Sequence, residues 1–104
     1  MIKMWKPEFG KMVMKVKITK EAEKLLPKLP IQVVKKLRLW VRQVELIGIR
    51  EVRKIKGYHD EPLSGDREGQ RSIRLNKAYR AFYIIKESGQ VEIAVVFDIN
   101  KHKY

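Results

Sequence analysis

Residues 12–19, MVMKVKIT, set Met12, Met14, Val16 and Ile18 against Val13, Lys15, Lys17 and Thr19. A period of two predicts a strand with one buried face. Thr19 then stands where an N-cap belongs, and KEAEKLLPKL follows as a short helix with Glu21 and Glu23 near its positive end. Pro27 and Pro30 end it, since proline lacks the N–H a helix interior needs. From Ile31 the period changes. Val33, Val34, Leu37, Trp40, Val41, Val44 and Ile47 recur three and four residues apart, with Lys35, Lys36, Arg38, Arg42 and Glu45 between them. That is an amphipathic helix whose apolar stripe packs on the core, and Gly48 stops it.

Residues 48–69, GIREVRKIKGYHDEPLSGDREG, begin with a helical turn and read as loop after Gly57, with Pro62, Gly65 and Gly69. A loop of this length in a small domain is commonly functional, and this one carries three titratable neighbours, His59, Asp60 and Glu61. Next come the hairpin QRSIRLNKAYRAFYII (70–85), a Ser88-Gly89 turn, and QVEIAVVFDI (90–99), apolar enough for a central strand. The order is strand, two helices, three strands. Short turns between consecutive strands imply a small antiparallel sheet with the two helices on one face, an α+β fold of β-α-α-β-β-β order. Residues 1–12 have no clear period and are interrupted by Pro7 and Gly10, so they are read as an arm preceding a domain over 13–104.

The hairpin carries Arg71, Arg74, Lys77 and Arg80 among apolar residues, and side-chain direction selects its register. A two-residue turn at Asn76-Lys77 mixes polar and apolar side chains on both faces. A three-residue turn, Asn76-Lys77-Ala78, instead pairs Arg74 with Arg80 and Leu75 with Tyr79. One face then holds Ile73, Leu75, Tyr79, Ala81, Tyr83 and Ile85, and the other Ser72, Arg74, Arg80 and Phe82. The second register is preferred because it segregates polarity. It also sets two guanidinium groups across a strand pair, which costs roughly 0.2–1 kcal/mol unless an anion lies with them. Glu61, Asp98 or a ligand phosphate is the anion expected there.

Charge changes the picture more than size does. The chain has 104 residues, enough for one domain, with 24 Lys and Arg against 12 Asp and Glu and a net charge of +12 distributed along its length. Such a field attracts polyanions, above all nucleic acid. There is no cysteine, which excludes disulfides and thiolate metal sites. The N-terminal residues lack the apolar run of a signal peptide, and no segment approaches the roughly 20 apolar residues of a membrane span. A soluble cytoplasmic protein is the expectation, with no membrane partner.

The candidate chemistry is RNA cleavage by attack of the 2′-OH. That reaction needs a base for the hydroxyl, an acid for the departing 5′ oxygen, and fixed cations for the charge on the phosphorane. Glu61 and His102 suit the proton transfers. Arg74 and Arg80 suit the oxyanion, because arginine stays charged and binds phosphate with paired N–H groups. Tyr104 suits stacking on a base. Two histidines far apart, without ligand spacing, argue against a metal; neither metal nor cofactor is expected.

EPLSGDREGQRSIRLNKAYRAFY, followed by a last strand and NKHKY, resembles the RelE/ParE superfamily of bacterial type II toxin–antitoxin toxins, closest to its HigB-like and YoeB-like ribonuclease branches. The resemblance covers about residues 13–104. It implies that Glu61, in the EPL motif, is the general base; that Arg74 and Arg80 hold the scissile phosphate; and that His102 is the general acid. Tyr104 is displaced by one residue from the family's terminal His-Tyr, and Lys103 stands between as a further phosphate contact. The cations expected to hold RNA are Lys35, Lys36, Arg38 and Arg42 on the long helix, Arg71 and Lys77 at the rim and turn of the hairpin, and Lys101 and Lys103 in the tail. The resemblance further implies a cognate antitoxin and cleavage of mRNA on the ribosome. Two alternatives stay open: a ParE-type toxin that inhibits DNA gyrase, and an inactive basic nucleic-acid-binding module.

Overall fold

A computed structural model of the chain describes residues 13–88 and 91–101; the expected arm over 1–12 lies outside them. The alternating segment forms β1 (Val13–Ile18). Thr19 caps α1 (Lys20–Leu25), its hydroxyl accepting from the Ala22 N–H at 3.1 Å. Pro27 does not end the helical path at once. Leu26–Lys28 continues it as a 3₁₀ turn, because a proline near the start of a turn gives up an N–H that has no partner there. The amphipathic helix is α2 (Ile31–Ile47), and Gly48 leaves it at φ 88°, accessible to glycine but costly to other residues, to start α3 (Ile49–Val52).

The remaining strands are β2 (Glu61–Pro62), β3 (Arg71–Arg74), β4 (Tyr79–Ser88) and β5 (Val91–Lys101). They form one sheet in the order β1-β5-β4-β3-β2. The sheet differs from the expected antiparallel four strands in two respects. β1 runs parallel to β5, and a two-residue strand is added at the far edge where Glu61 and Pro62 pair with Ser72 and Arg71. Period two marks a strand but not its partner. β1 reaches the open edge of β5 because the helices that follow it carry the chain across the sheet to where β2–β5 continue. Its own outer edge is partly closed by α2, whose Glu45 carboxylate accepts from the Val16 N–H at 3.1 Å.

The hairpin takes the three-residue turn. Arg74 opposes Arg80, Ile73 opposes Ala81, and the Asn76 side chain accepts from the Ala78 and Tyr79 N–H groups at 2.8 Å each. Ile73, Leu75, Ala81 and Tyr83 are buried against Val33, Leu37, Trp40 and Val44 of α2, with the Trp40 and Tyr83 rings 5.1 Å apart. Between Phe82 and Tyr83 the pairing with β5 slips by one residue, leaving Phe97 as a bulge. The extra residue changes which side chains face the helices: Ala94 and Val96 before it, Ile99 after it. Asp98 and Asn100 are thereby aimed at the opposite face, across from Phe82 and Arg80.

Candidate active site

Arg80 points from the middle of the sheet to the face away from the helices, yet its side chain is only 8% exposed. A guanidinium this buried must have its donors satisfied. Its Nε and Nη2 both donate to the Ser72 hydroxyl, at 3.1 and 2.9 Å, and Nη2 also donates to the His59 carbonyl at 3.1 Å. The compensating charge is Glu61, whose Oε2 lies 3.5 Å from Nη2. The other Glu61 oxygen is 3.5 Å from His59 Nε2. The Glu61 side chain is 48% exposed, so one carboxylate stands at the solvent boundary between a buried guanidinium and an exposed imidazole.

The loop that presents Glu61 is tied down on alternate residues. Tyr58 is buried, donates its hydroxyl to Gln43 of α2, and lies under the Lys36 ammonium, 5.0 Å from its ring centre. Asp60, its side chain 1% exposed, accepts from Arg71 Nε at 2.7 Å and from the Tyr83 hydroxyl. His59, between these anchors, has φ 46° and ψ 53°, a left-handed conformation uncommon outside glycine. Held there, it turns its carbonyl to Arg80 and its ring to Glu61.

These contacts shift several ionisations. Burial pushes the Tyr83 phenol well above its ordinary value, and the bond to Asp60 adds to it, against the opposing effect of Arg53. Burial raises Tyr58 too. Burial alone would lower Arg71, but the hydrogen bond and charge of Asp60 outweigh it, leaving Arg71 more firmly protonated.

The expected residues fall into distinct places. Glu61 and Arg80 touch. Arg74 is in register with Arg80 and exposed. The anion beside the arginine pair is Glu61 rather than Asp98, whose oxygens accept from the Ile99 N–H and the Asn100 side chain, both at 2.9 Å. Arg71, expected at the rim of the hairpin as an RNA-holding cation, points to the helix side and engages Asp60, with its side chain 23% exposed. Lys77 is exposed in the hairpin turn, and Lys101 at the end of β5.

Lys35, Arg38 and Arg42 are exposed on α2, which packs on the opposite face of the sheet from Arg80. Arg38 and Arg42 line a cavity of about 270 Å³ with Ile18, Val41 and Glu45. His102, Lys103 and Tyr104 lie outside the described residues. Among the described residues, no group of three or more His, Cys, Asp or Glu side chains could hold a metal ion, and no helix is long and apolar enough to cross a membrane.

His59, Asp60 and Glu61 stand as a titratable cluster in the sequence, of which only Glu61 carries an expected role. The missed parts are the His59 ring and carbonyl, the Asp60 anchor and the Ser72 hydroxyl. The available signal was their adjacency in HDE and the place of Ser72 on the same face as Arg80. The left-handed turn at His59 that makes them converge has no mark in the sequence.

No protein-family model and no curated protein sequence matches the chain. Solved structures do. A YoeB/ParE toxin from Agrobacterium tumefaciens superposes with a TM-score of 0.65 at 22% identity, over 86% of this chain and 100% of that one. The RelBE2 toxin–antitoxin complex of Mycobacterium tuberculosis gives 0.59 at 20% identity, over 85% and 96%. The archaeal RelE–RelB complex of Pyrococcus horikoshii gives 0.60 at 21% identity, over 86% and 96%. The chain has the fold of the RelE-like toxins.

Proposed function

We propose that the chain is the toxin of a type II toxin–antitoxin system and acts as an endoribonuclease that cleaves mRNA on the ribosome without a metal. The observation that carries this reading is the contact of Glu61 with Arg80, beside Arg74 on one face of the sheet. In the reaction Glu61 takes the proton of the 2′-OH, and the resulting alkoxide attacks the adjacent phosphorus. Arg80 and Arg74 offset the negative charge of the phosphorane, and Arg80, already held by Ser72 and the His59 carbonyl, does so without reorganisation. The P–O5′ bond breaks, and His102 gives its proton to the departing oxygen. Products are a 2′,3′-cyclic phosphate and a 5′-hydroxyl.

His59 orients Glu61, and Ser72 with the His59 carbonyl orients Arg80. His102 is two residues beyond Asn100, which is paired with Arg80; its role, with base stacking by Tyr104 and RNA contacts by Lys35, Lys36, Arg38, Arg42, Lys77, Lys101 and Lys103, belongs to this proposal. A cognate antitoxin covering the basic surface and a cytoplasmic location complete it; two of the superposed structures are toxin–antitoxin or RelE–RelB complexes.

The test is purified protein in a translating extract with a reporter mRNA, alongside a gyrase supercoiling assay. Cleaved mRNA with cyclic-phosphate ends, lost in Glu61→Gln and reduced about 10²–10³-fold in Arg80→Ala, supports the reading. Intact mRNA with continued protein synthesis sinks it, and inhibited supercoiling with intact mRNA replaces it with gyrase inhibition.

A further inference from the structure

Phe82 is an apolar ring on the polar face, two residues along β4 from Arg80 and pointing the same way. It is 7% exposed because Arg67 covers it: the guanidinium carbon sits 4.5 Å from the ring centre. Arg67 does not hang there loosely. It closes a 3₁₀ turn, Gly65–Arg67; its Nε donates to the Gln70 side chain at 2.8 Å, and its carbonyl accepts from the Gln70 N–H at 3.0 Å. These bonds anchor the guanidinium over the ring, while the residue as a whole remains exposed. Covering Phe82 alone requires only an aliphatic chain; an anchored guanidinium additionally offers a flat cationic surface to whatever lies above it.

We infer that the Arg67 guanidinium, seated over Phe82 and anchored by Gln70, is a stacking platform for an unpaired nucleobase of the RNA strand whose phosphate lies at Arg80. The inference rests on the nuclease reading for the nature of the strand. Guanidinium planes stack on bases as aromatic rings do, and every base has a π-face to offer. The neighbours of Arg67 decide between base and phosphate. Asp66 and Glu68 flank it, both exposed, and two carboxylates repel a phosphate while tolerating a neutral base. The phosphate therefore goes to Arg80 and Arg74, and the base to Arg67. The arrangement leaves base preference to stacking strength and to N–H donors of Arg67 at the base edge.

The experiment uses the full-length protein and a short single-stranded DNA oligonucleotide carrying 2-aminopurine, which has no 2′-OH and is not cleaved. Saturable quenching of the fluorophore on binding is expected. Arg67→Ala should weaken binding about 5- to 150-fold, the range for loss of one stacked base, and abolish the quench. Arg67→Lys keeps the charge and removes the plane, so it too should lose the quench. Binding without quenching, no binding at all, or an Arg67→Lys variant that quenches like the parent overturns the platform. Because Arg67 is exposed, an unchanged melting temperature shows that a loss is local. Glu61→Gln separates the two readings: it should keep the quench and lose RNA cleavage, so undiminished cleavage counts against the nuclease chemistry and a lost quench against the platform.

Discussion

The Asp60 side chain is almost fully out of solvent and, on the reading above, touches no substrate, yet it sets the position of both side chains beside it. Its carboxylate holds Arg71 and Tyr83 while the chain turns through His59 and leaves Glu61 facing Arg80. Removing one member of a buried charge pair leaves the other unpaired, so Asp60→Ala should destabilise the fold by about 3 kcal/mol, read by urea denaturation. A shift below about 0.5 kcal/mol would show that the anchor is dispensable. Tyr83 gives a pH signature for the same cluster. Its folded form keeps the proton at a pH where the unfolded chain, near its ordinary value of 10.0, has lost it. Raising pH through that value therefore favours unfolding, by up to about 1.4 kcal/mol per pH unit from this group. Urea melts between roughly pH 9 and 11 should show the slope, and Tyr83→Phe should reduce it; an unaltered slope assigns the alkaline loss to other groups.

At the scale of elements, two single residues redirect the chain. Gly48 ends α2 and begins α3 with φ 88° and ψ 154°, a conformation almost restricted to glycine, while a Cβ there meets nothing within 4 Å. The cost of Gly48→Ala is thus backbone strain without a clash, about 1–3 kcal/mol by chemical denaturation; a neutral substitution would mean that the two helices can realign. The Phe97 bulge acts on β5 in a comparable way. Without it Asp98 and Asn100 would face the helices and Ile99 would face outward, and the polar floor beside Arg80 and Phe82 would lose its far side. β2, only two residues long, matters for the same reason: pairing Glu61 with Ser72 brings the carboxylate over the arginine that Ser72 holds.

Over the whole molecule, the sheet separates two groups of cations among the described residues. Arg74 and Arg80 lie on one face, while Lys35, Arg38 and Arg42 decorate the helix packed on the other. On the proposed reading, a single RNA strand crossing the first face engages only some of these cations. With about four phosphate contacts, log affinity should fall with log salt at a slope near −3, a loss of about fifty-fold between roughly 50 and 200 mM salt. A filter-binding titration of single-stranded RNA measures it. A slope near zero would rule out phosphate contacts as the source of affinity, and a slope far steeper would enlist the helix face as well.

How much of this was legible beforehand differs by feature. Periods of two and of three to four residues mark β1 and α2, because a half-buried strand and an amphipathic helix must alternate their side chains in those ways, and a largely apolar run marks β5. Segregation of polarity also settled the hairpin turn, and with it the pairing of Arg74 and Arg80. Local sequence determined these because each is decided within one segment or between neighbours joined by a short turn. The parallel docking of β1 on β5, the bulge at Phe97, the left-handed His59 and the diversion of Arg71 to Asp60 were decided only in the tertiary structure. Each depends on a partner distant in the chain or on a backbone conformation that packing imposes, and the residue types alone carry neither.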